Sequence, residues 1–227
     1  MNRFKQSRTD RLIKIDSVNY NSLSPNWSIS FWIYNISERD FILELGKFLL
    51  DEEELIIEKY PAHKNDGSTG LGLTTTTARF PFFNLFNYKE SSMVKLQNII
   101  KTNLADYLKT INFKPNETLY INCWYNVMTP GQEILPHAHG SSAESFLSGH
   151  FTVWCEESLT YYDLPFNNGK IGFKNCPGEG IFFPSYITHG TSKHNGERKR
   201  ITIAFDIYHG LDTVDPLLKN NVVKLFL

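Results

Sequence analysis

The sequence has few cysteines, and their arrangement argues against a disulfide framework. There are three, Cys123, Cys155 and Cys176, and none of them forms the CxxC spacing of a thiolate zinc site. An odd number of isolated thiols favours a reducing compartment. The first residues, Met1–Gln6, are polar and lack the apolar stretch of a signal peptide, so we expect a cytoplasmic protein.

Long apolar runs and excess charge of either sign are also missing. No apolar run approaches the roughly 20 residues of a membrane span, so no membrane partner is expected. The formal net charge of -1 gives no general attraction to nucleic acid. Phosphate-binding loops, GxSxG and HExxH motifs are absent from the sequence, which removes several common enzyme classes.

What the chain does have is a large apolar fraction and an N-terminal part with helical patterns. Its 227 residues are 41% hydrophobic and 14% aromatic, which suffices for a packed core. Residues 1–114 contain a predicted strand at 28–34, two helical pieces within 38–59 with Ser37 as N-cap, and a helix at 91–110. We interpret this segment as support for a core that follows.

After Pro115 the pattern changes to short strands separated by turns. The glycine- and threonine-rich stretch 61–77 is predicted as a long loop or a loop with an edge strand, either a surface connection or a lid. Residues 115–210 are predicted as the core and 211–227 as a C-terminal docking segment. The evenly spaced strands indicate a sandwich or closed barrel, and they are predicted at 118–128, 134–138, 148–155, 158–163, 170–174, 180–183, 187–192 and 200–208.

Three histidines carry the strongest functional signal. His137 and His139 are two residues apart in a predicted strand, and His189 ends the segment Phe182–His189. Residues i and i+2 of a strand point to the same face, with Cα atoms about 6.6–7 Å apart. Imidazoles at this spacing can converge on one ion, and a third from a distant strand would complete a facial set with open positions. Three histidines lie outside this pattern, and we assign them to loops or the surface: His63, His194 and His209.

A second signal is Arg200, which opens the alternating strand 200–207. A guanidinium can hold a carboxylate through two parallel hydrogen bonds, so we predict that Arg200 binds an acidic co-substrate. Thr202 shares its strand face and could add a hydroxyl hydrogen bond. The alternative is a surface charge, which is our interpretation of Arg198 and Lys199.

Polar and aromatic residues on two further strands are candidates for the pocket wall. Asn122, Trp124 and Asn126 share one face of the first core strand, and His150 and Thr152 share a face of another. We assign Trp124 and Asn126 to the cofactor site. Asn122, His150 and Thr152 are assigned to the substrate pocket. The alternative is ordinary filling of a barrel interior.

The order and spacing of these pieces over about 115–210 resemble the 2-oxoglutarate/Fe(II) oxygenases related to prolyl 4-hydroxylases, a group with many members in phages and marine bacteria. The resemblance implies an α+β fold with a double-stranded β-helix (jelly-roll) core. It also implies Fe(II) and 2-oxoglutarate as cofactors, O2 as a reactant, and hydroxylation of an organic or peptidyl substrate, with a prolyl residue among the candidates. The segments that carry it are Trp124–Val127, His137–His139, Leu147–Phe151, Pro177–Gly180, Phe183–Pro184, His189–Gly190 and Arg200–Phe205.

Carried over by position, His137 and His189 match iron ligands, and Arg200 matches the residue that binds the far carboxylate of 2-oxoglutarate. The chain departs from the usual HxD or HxE pattern, because His139 occupies the second place. His139 itself could be the third ligand, or Glu144 or Asp206 could supply a carboxylate. In a fourth arrangement His139 is an outer hydrogen-bond donor and one coordination position stays open.

Two other functions compete with the oxygenase hypothesis. Gly131, the His137/His139 pair and Glu144 partly fit a first cupin motif, and His189 loosely fits the second. That reading gives a three-His, one-Glu metalloprotein, such as a cofactor-independent dioxygenase or an isomerase. The third hypothesis is a metal-free binding or structural phage protein on the same barrel.

Overall fold

Two antiparallel sheets form the centre of the molecule. The computed structural model describes residues 10–18, 22–115, 118–140 and 142–227. The larger sheet has the strand order β1-β2-β7-β4-β9-β3-β10, and the smaller has the order β6-β5-β8. The strands are β1 Arg11–Asp16, β2 Ser28–Asn35, β3 Tyr120–Met128, β4 Ser145–Trp154, β5 Leu159–Asp163, β6 Lys170–Lys174, β7 Glu179–Pro184, β8 His189–Thr191, β9 Arg200–Tyr208 and β10 Val223–Lys224.

Two helices, α1 Arg39–Lys59 and α2 Ser91–Thr110, cover one face of the larger sheet. A short third helix, α3 Pro216–Lys219, contributes Leu217 and Leu218 to the wall of a cavity instead. Buried apolar side chains of α1 and α2, including Leu45 and Leu96, join one cluster with those of β3 and β9. This is the α+β layer arrangement that the sequence predicts. No helix in the described ranges is long and apolar enough to cross a membrane.

Strand β9 separates the apolar core from a polar interior face. It lies between β3 and β4 and pairs antiparallel with both. Its alternation places Ile201, Ile203 and Phe205 in the apolar cluster, whereas Arg200 and Thr202 line a cavity on the other face. The period-two pattern of the sequence therefore determines which side chains reach the interior of the barrel.

Several predicted elements need correction. One continuous helix replaces the two pieces within 38–59, and its N-cap is Glu38 rather than Ser37. The segment 134–138 forms only an isolated bridge between His137 and His189, because the chain leaves the ladder on either side of that pair. Strand β1 was missed, since its residues 11–16 lie in a polar stretch without a clear turn before it.

The stretch 61–77 contains no strand, contrary to one of the two predictions for it. It folds through tight turns, with positive φ angles at Asp66, Gly67 and Ser68. Its end is tied to β3, because the Thr76 hydroxyl donates to the Tyr125 carbonyl oxygen at 2.7 Å and the adjacent threonine hydroxyl donates to the Asn126 side chain. Residues of this stretch form part of the cavity wall.

Candidate metal centre and its cavity

His137 and His189 face each other across a backbone bridge. The His137 N–H donates to the His189 carbonyl oxygen at 2.9 Å, and the reverse hydrogen bond has the same length. Paired residues of an antiparallel ladder carry their side chains on the same face. His139, two residues beyond His137, shares that face. The local backbone thus brings the imidazoles of one segment, His137 and His139, close to that of His189 in β8.

The three rings converge closely. One ring nitrogen from each of His137, His139 and His189 lies within 4.8 Å of the other two. The ring centroids are 4.6 to 5.0 Å apart. Within the described residues this is the one group of histidine, cysteine and acidic side chains that is compact enough to hold a metal ion.

The Nδ1 atom of every ring is already engaged. His137 Nδ1 lies 2.8 Å from the Leu135 carbonyl oxygen, and His189 Nδ1 lies 3.1 Å from that of Ile187. His139 Nδ1 lies 2.6 Å from Asp206 Oδ1. Carbonyl and ionised carboxylate oxygens only accept, so each Nδ1 carries the proton. In the neutral form of each ring the lone pair is then on Nε2, the nitrogen that can ligate a metal.

Burial keeps two of these rings neutral near pH 7. Desolvation, followed by the neighbouring His139, lowers the pKa of His137 to about 4. The same causes hold the pKa of His189 well below its ordinary value. Because only the neutral imidazole binds a metal, protons compete weakly for these sites.

Arg200 is a buried cation without an acidic partner. Its side chain is 1% exposed, and its Nη1 contacts only the Met128 sulfur, at 3.6 Å. Its Nε has no hydrogen-bond partner, and it makes no ion pair within the part of the chain that is described. An unpaired buried charge costs several kcal/mol by order of magnitude. The residues here therefore fit an anionic ligand, whose carboxylate would compensate this charge.

One cavity of about 310 Å³ contains both the imidazoles and the arginine. Trp124 forms a wall beside His139, with ring centroids 5.6 Å apart. The small Ala204 lies between Arg200 and Asp206 along β9, and it also lines the cavity. The buried Thr202 hydroxyl has no hydrogen-bond partner among the described residues. The cavity thus offers a metal-ligating group from His137, His139 and β8 and an anion-binding group from β9.

Comparison with solved structures shows the fold. A Pseudomonas putida prolyl-4-hydroxylase matches with a TM-score of 0.56 at 8% sequence identity, covering 78% of this chain and 92% of that one. A Trichoplax adhaerens prolyl hydroxylase in complex with a peptide fragment of the hypoxia inducible factor oxygen degradation domain matches with a TM-score of 0.53 at 11% identity, covering 79% and 83%. The chain has the prolyl hydroxylase fold. This confirms the predicted jelly roll and, at the level of the fold, the predicted resemblance.

The likeness is structural and does not extend to sequence. No protein-family model matches the chain, and no curated protein matches it. A Burkholderia pseudomallei oxidoreductase of the 2OG-Fe(II) oxygenase family has a TM-score of 0.44 at 12% identity, and the chain spans only 61% of its length. Roles of individual residues within the prolyl hydroxylase fold therefore rest on the geometry of this chain.

Most predicted pocket residues line the cavity, but two do not. Trp124, Asn126, His150, Arg200 and Thr202 all lie in its wall. Asn122 and Thr152 are not among the lining residues. The Asn122 amide instead donates to the Phe80 carbonyl oxygen at 3.2 Å.

Glu144 does not join the histidine group. Its carboxylate accepts a hydrogen bond from the Thr213 backbone N–H at 3.1 Å, at the surface. The three-His, one-Glu arrangement of the cupin hypothesis is therefore not formed among the described residues. Asp206 also stays outside the group, since it contacts the far nitrogen of His139.

The other three histidines lie outside the helices and strands, as predicted, but two of them are not simple surface residues. His63 lines the cavity, and His194 is fully buried, with its Nε2 close to the Arg198 carbonyl oxygen. His209 is exposed, as predicted. His63 belongs to the turn-rich stretch, whose irregular backbone gives no periodic signal from which a cavity contact could have been predicted.

Several residues at or behind the cavity wall were not predicted. The Tyr162 hydroxyl lies outside the wall and forms a hydrogen bond with His150 Nε2 at 2.8 Å. This contact depends on how two strands are paired, which a pattern within one strand does not show. Desolvation, followed by the charge of Arg200, lowers the pKa of His150 to about 3, so this ring is neutral. Further lining residues come from the stretch before α2 and from α3: Asn65, Thr69, Thr77, Phe80, Leu217 and Leu218.

Proposed function

We propose that this protein is a non-haem Fe(II), 2-oxoglutarate-dependent dioxygenase. The single observation that carries the proposal is the joint presence, in one cavity, of three converging imidazoles and a buried arginine that has no acidic partner among the described residues. A metal site alone fits many functions. A metal site together with an anion-binding arginine in the same cavity fits a co-substrate that has both a metal-chelating group and a second carboxylate.

Each end of the cavity has defined residues in this proposal. His137, His139 and His189 would hold iron through Nε2, leaving positions open for ligands. Arg200 would bind the far carboxylate of 2-oxoglutarate through its fork of N–H groups, and the unpaired Thr202 hydroxyl would add a hydrogen bond. Bound iron and 2-oxoglutarate supply, with O2, the oxidising power for a C–H bond. Trp124 and Asn126 limit access of water and orient the co-substrate.

The substrate is proposed as an organic molecule or a peptide side chain, with hydroxylation as the reaction. Support comes from the fold, since the two structures that match over 78% and 79% of this chain are named prolyl hydroxylases and one is a complex with a peptide. His150 and the stretch around His63 also line the cavity, and we assign them to the substrate pocket.

The test is an anaerobic titration of the full chain with Fe(II) and then 2-oxoglutarate. The proposal expects binding of one Fe(II), followed by a weak visible charge-transfer absorption only when 2-oxoglutarate is added. Release of succinate under O2 with pooled candidate substrates would then identify the reaction. Metal binding that is indifferent to 2-oxoglutarate would favour the cupin-like function, and binding of neither would favour the non-catalytic one.

A further inference from the structure

We propose that Asp206 is a positioning residue of the metal centre, which fixes His139 for ligation and supplies the negative charge that three imidazoles lack. The inference rests on the proposed function, because it assumes that the histidine group binds Fe(II). It assigns to Asp206 a role other than direct ligation, and it makes the carboxylate a determinant of metal affinity.

The contacts of Asp206 are short and directional. Its Oδ1 lies 2.6 Å from His139 Nδ1 and accepts the Ser148 hydroxyl at 2.6 Å. Asp206 and Ser148 are direct partners in the pairing of β9 with β4, so the sheet itself sets this second contact. With 8% exposure the carboxylate is held away from water. Two donors on one buried oxygen leave it little freedom to turn toward the metal.

The other two histidines lack such a partner. The Nδ1 atoms of His137 and His189 contact carbonyl oxygens two residues earlier in their own segments. These acceptors are uncharged and close in sequence. Of the three histidines, His139 is the one whose Nδ1 contacts a carboxylate, that of Asp206, 67 residues away in the chain. The negative charge therefore acts on His139, and the contact requires the folded barrel.

The charge matters because three neutral imidazoles leave the full charge of a divalent ion uncompensated. A hydrogen bond from imidazole to carboxylate is charge-assisted and roughly twice as strong as a neutral one. It fixes the tautomer, orients the ring and raises the basicity of the ligating nitrogen. Loss of such an outer partner commonly weakens metal affinity by about 10- to 100-fold.

The first measurement is the Fe(II) dissociation constant of the full chain under anaerobic conditions, obtained by competition with a chromogenic chelator. Asp206→Asn keeps an accepting oxygen but removes the charge, and we expect affinity to fall about 10- to 100-fold. The matched control is Asp163→Asn, which removes a surface acid paired with Lys170 at 3.0 Å and should leave affinity unchanged. Affinity of D206N within threefold of the parent chain would overturn the inference.

A second pair of variants separates positioning from general support of the fold. His139→Asp replaces the imidazole by a carboxylate, as in two-His, one-carboxylate iron sites, and so removes the ring that Asp206 orients. D206N should then weaken Fe(II) binding clearly less in this background than in the parent chain, because only the effect of its charge on the ion remains. An equal fold-loss of affinity in both backgrounds would show that Asp206 does not act through His139.

These outcomes are distinct from failure of the proposed function. If the parent chain binds no Fe(II), the function and this inference fall together. If the parent binds Fe(II) and responds to 2-oxoglutarate while D206N is unchanged, only the role of Asp206 is wrong. Far-UV circular dichroism of each variant without metal verifies that the barrel is folded before affinities are compared.

Discussion

Arg200 combines complete burial with an unpaired charge, which is costly in the absence of a ligand. Its guanidinium contacts a methionine sulfur instead of an acid, and burial lowers its pKa from the ordinary value. A residue that destabilises the empty chain is retained when it serves binding. Replacing Arg200 by an apolar residue should therefore raise the free energy of unfolding of the ligand-free chain and lower its affinity for an anion.

The first prediction concerns Arg200→Met. We expect 2-oxoglutarate affinity to fall at least about 100-fold, because hydrogen bonds to charged groups contribute roughly 1.5–3 kcal/mol each. Fe(II) affinity should stay the same. The ligand-free chain should gain about 1–3 kcal/mol in its free energy of unfolding, since an apolar side chain replaces an unpaired buried charge. Calorimetric titration and urea unfolding measure the two effects.

The control for this prediction is Arg198→Met. Arg198 is 87% exposed and pairs loosely with Glu156, at 3.9 Å, so neither affinity nor stability should change by more than about 0.5 kcal/mol. If R200M loses Fe(II) and 2-oxoglutarate binding equally, the arginine supports the metal site or the fold, and its assignment to the far carboxylate is wrong.

Among the structural elements, the turn before β7 joins the N-terminal strands to the barrel. The Ile36 N–H, just after β2, donates to the Gly178 carbonyl oxygen at 2.8 Å. A Cβ atom on Gly178 would lie 2.2 Å from the Ile36 carbonyl oxygen, and the residue has a φ of +83°. Both the close backbone approach and the left-handed conformation require glycine here.

The second prediction follows from that turn. Gly178→Ala should lower the free energy of unfolding by about 3 kcal/mol or more, because it adds a backbone clash to conformational strain. Gly169→Ala is the matched control, since Gly169 has a φ of +90° but no atom within 4 Å of an added Cβ. It should cost only about 1–2 kcal/mol. If urea unfolding gave equal losses of unfolding free energy for the two variants, the close contact of Gly178 with Ile36 would not be the cause.

The elements that sequence patterns predicted well are those with a regular period. The two-residue period gave the shared face of His137 and His139 and that of Arg200 and Thr202, and these side chains do meet in one cavity. The same period could not reveal the contact of His139 with Asp206. That contact depends on how strands far apart in sequence are paired in register, which one sequence does not contain.

Irregular segments were the main gap in prediction. The stretch containing His63 and Thr77 contributes to the cavity wall, yet it turns through consecutive positive φ angles. Such a backbone has neither helical nor strand periodicity, so its side-chain directions cannot be inferred from spacing. Its glycines and threonines indicated a loop, and only the fold shows which side of that loop faces the site.

At the scale of the whole molecule, the three-histidine group forms only when the barrel is closed. His137 and His189 meet through a bridge between segments about 50 residues apart, and His139 is held from β9. A preformed site is therefore absent from the unfolded chain, and binding free energy adds to the free energy of unfolding. Fe(II) at the three histidines and 2-oxoglutarate at Arg200 should each add to that stabilisation.

The last prediction is a stepwise thermal shift. Fe(II) at about 100 times its dissociation constant should stabilise the chain by roughly 2.7 kcal/mol, which for a domain of this size raises Tm by about 5–10 °C. Anaerobic addition of 2-oxoglutarate should raise Tm again, whereas glutarate, which lacks the chelating keto oxygen, should give a smaller shift. In R200M the first shift should persist and the second should vanish. A 2-oxoglutarate shift that survives in R200M, measured by scanning calorimetry, would place its far carboxylate elsewhere in the cavity.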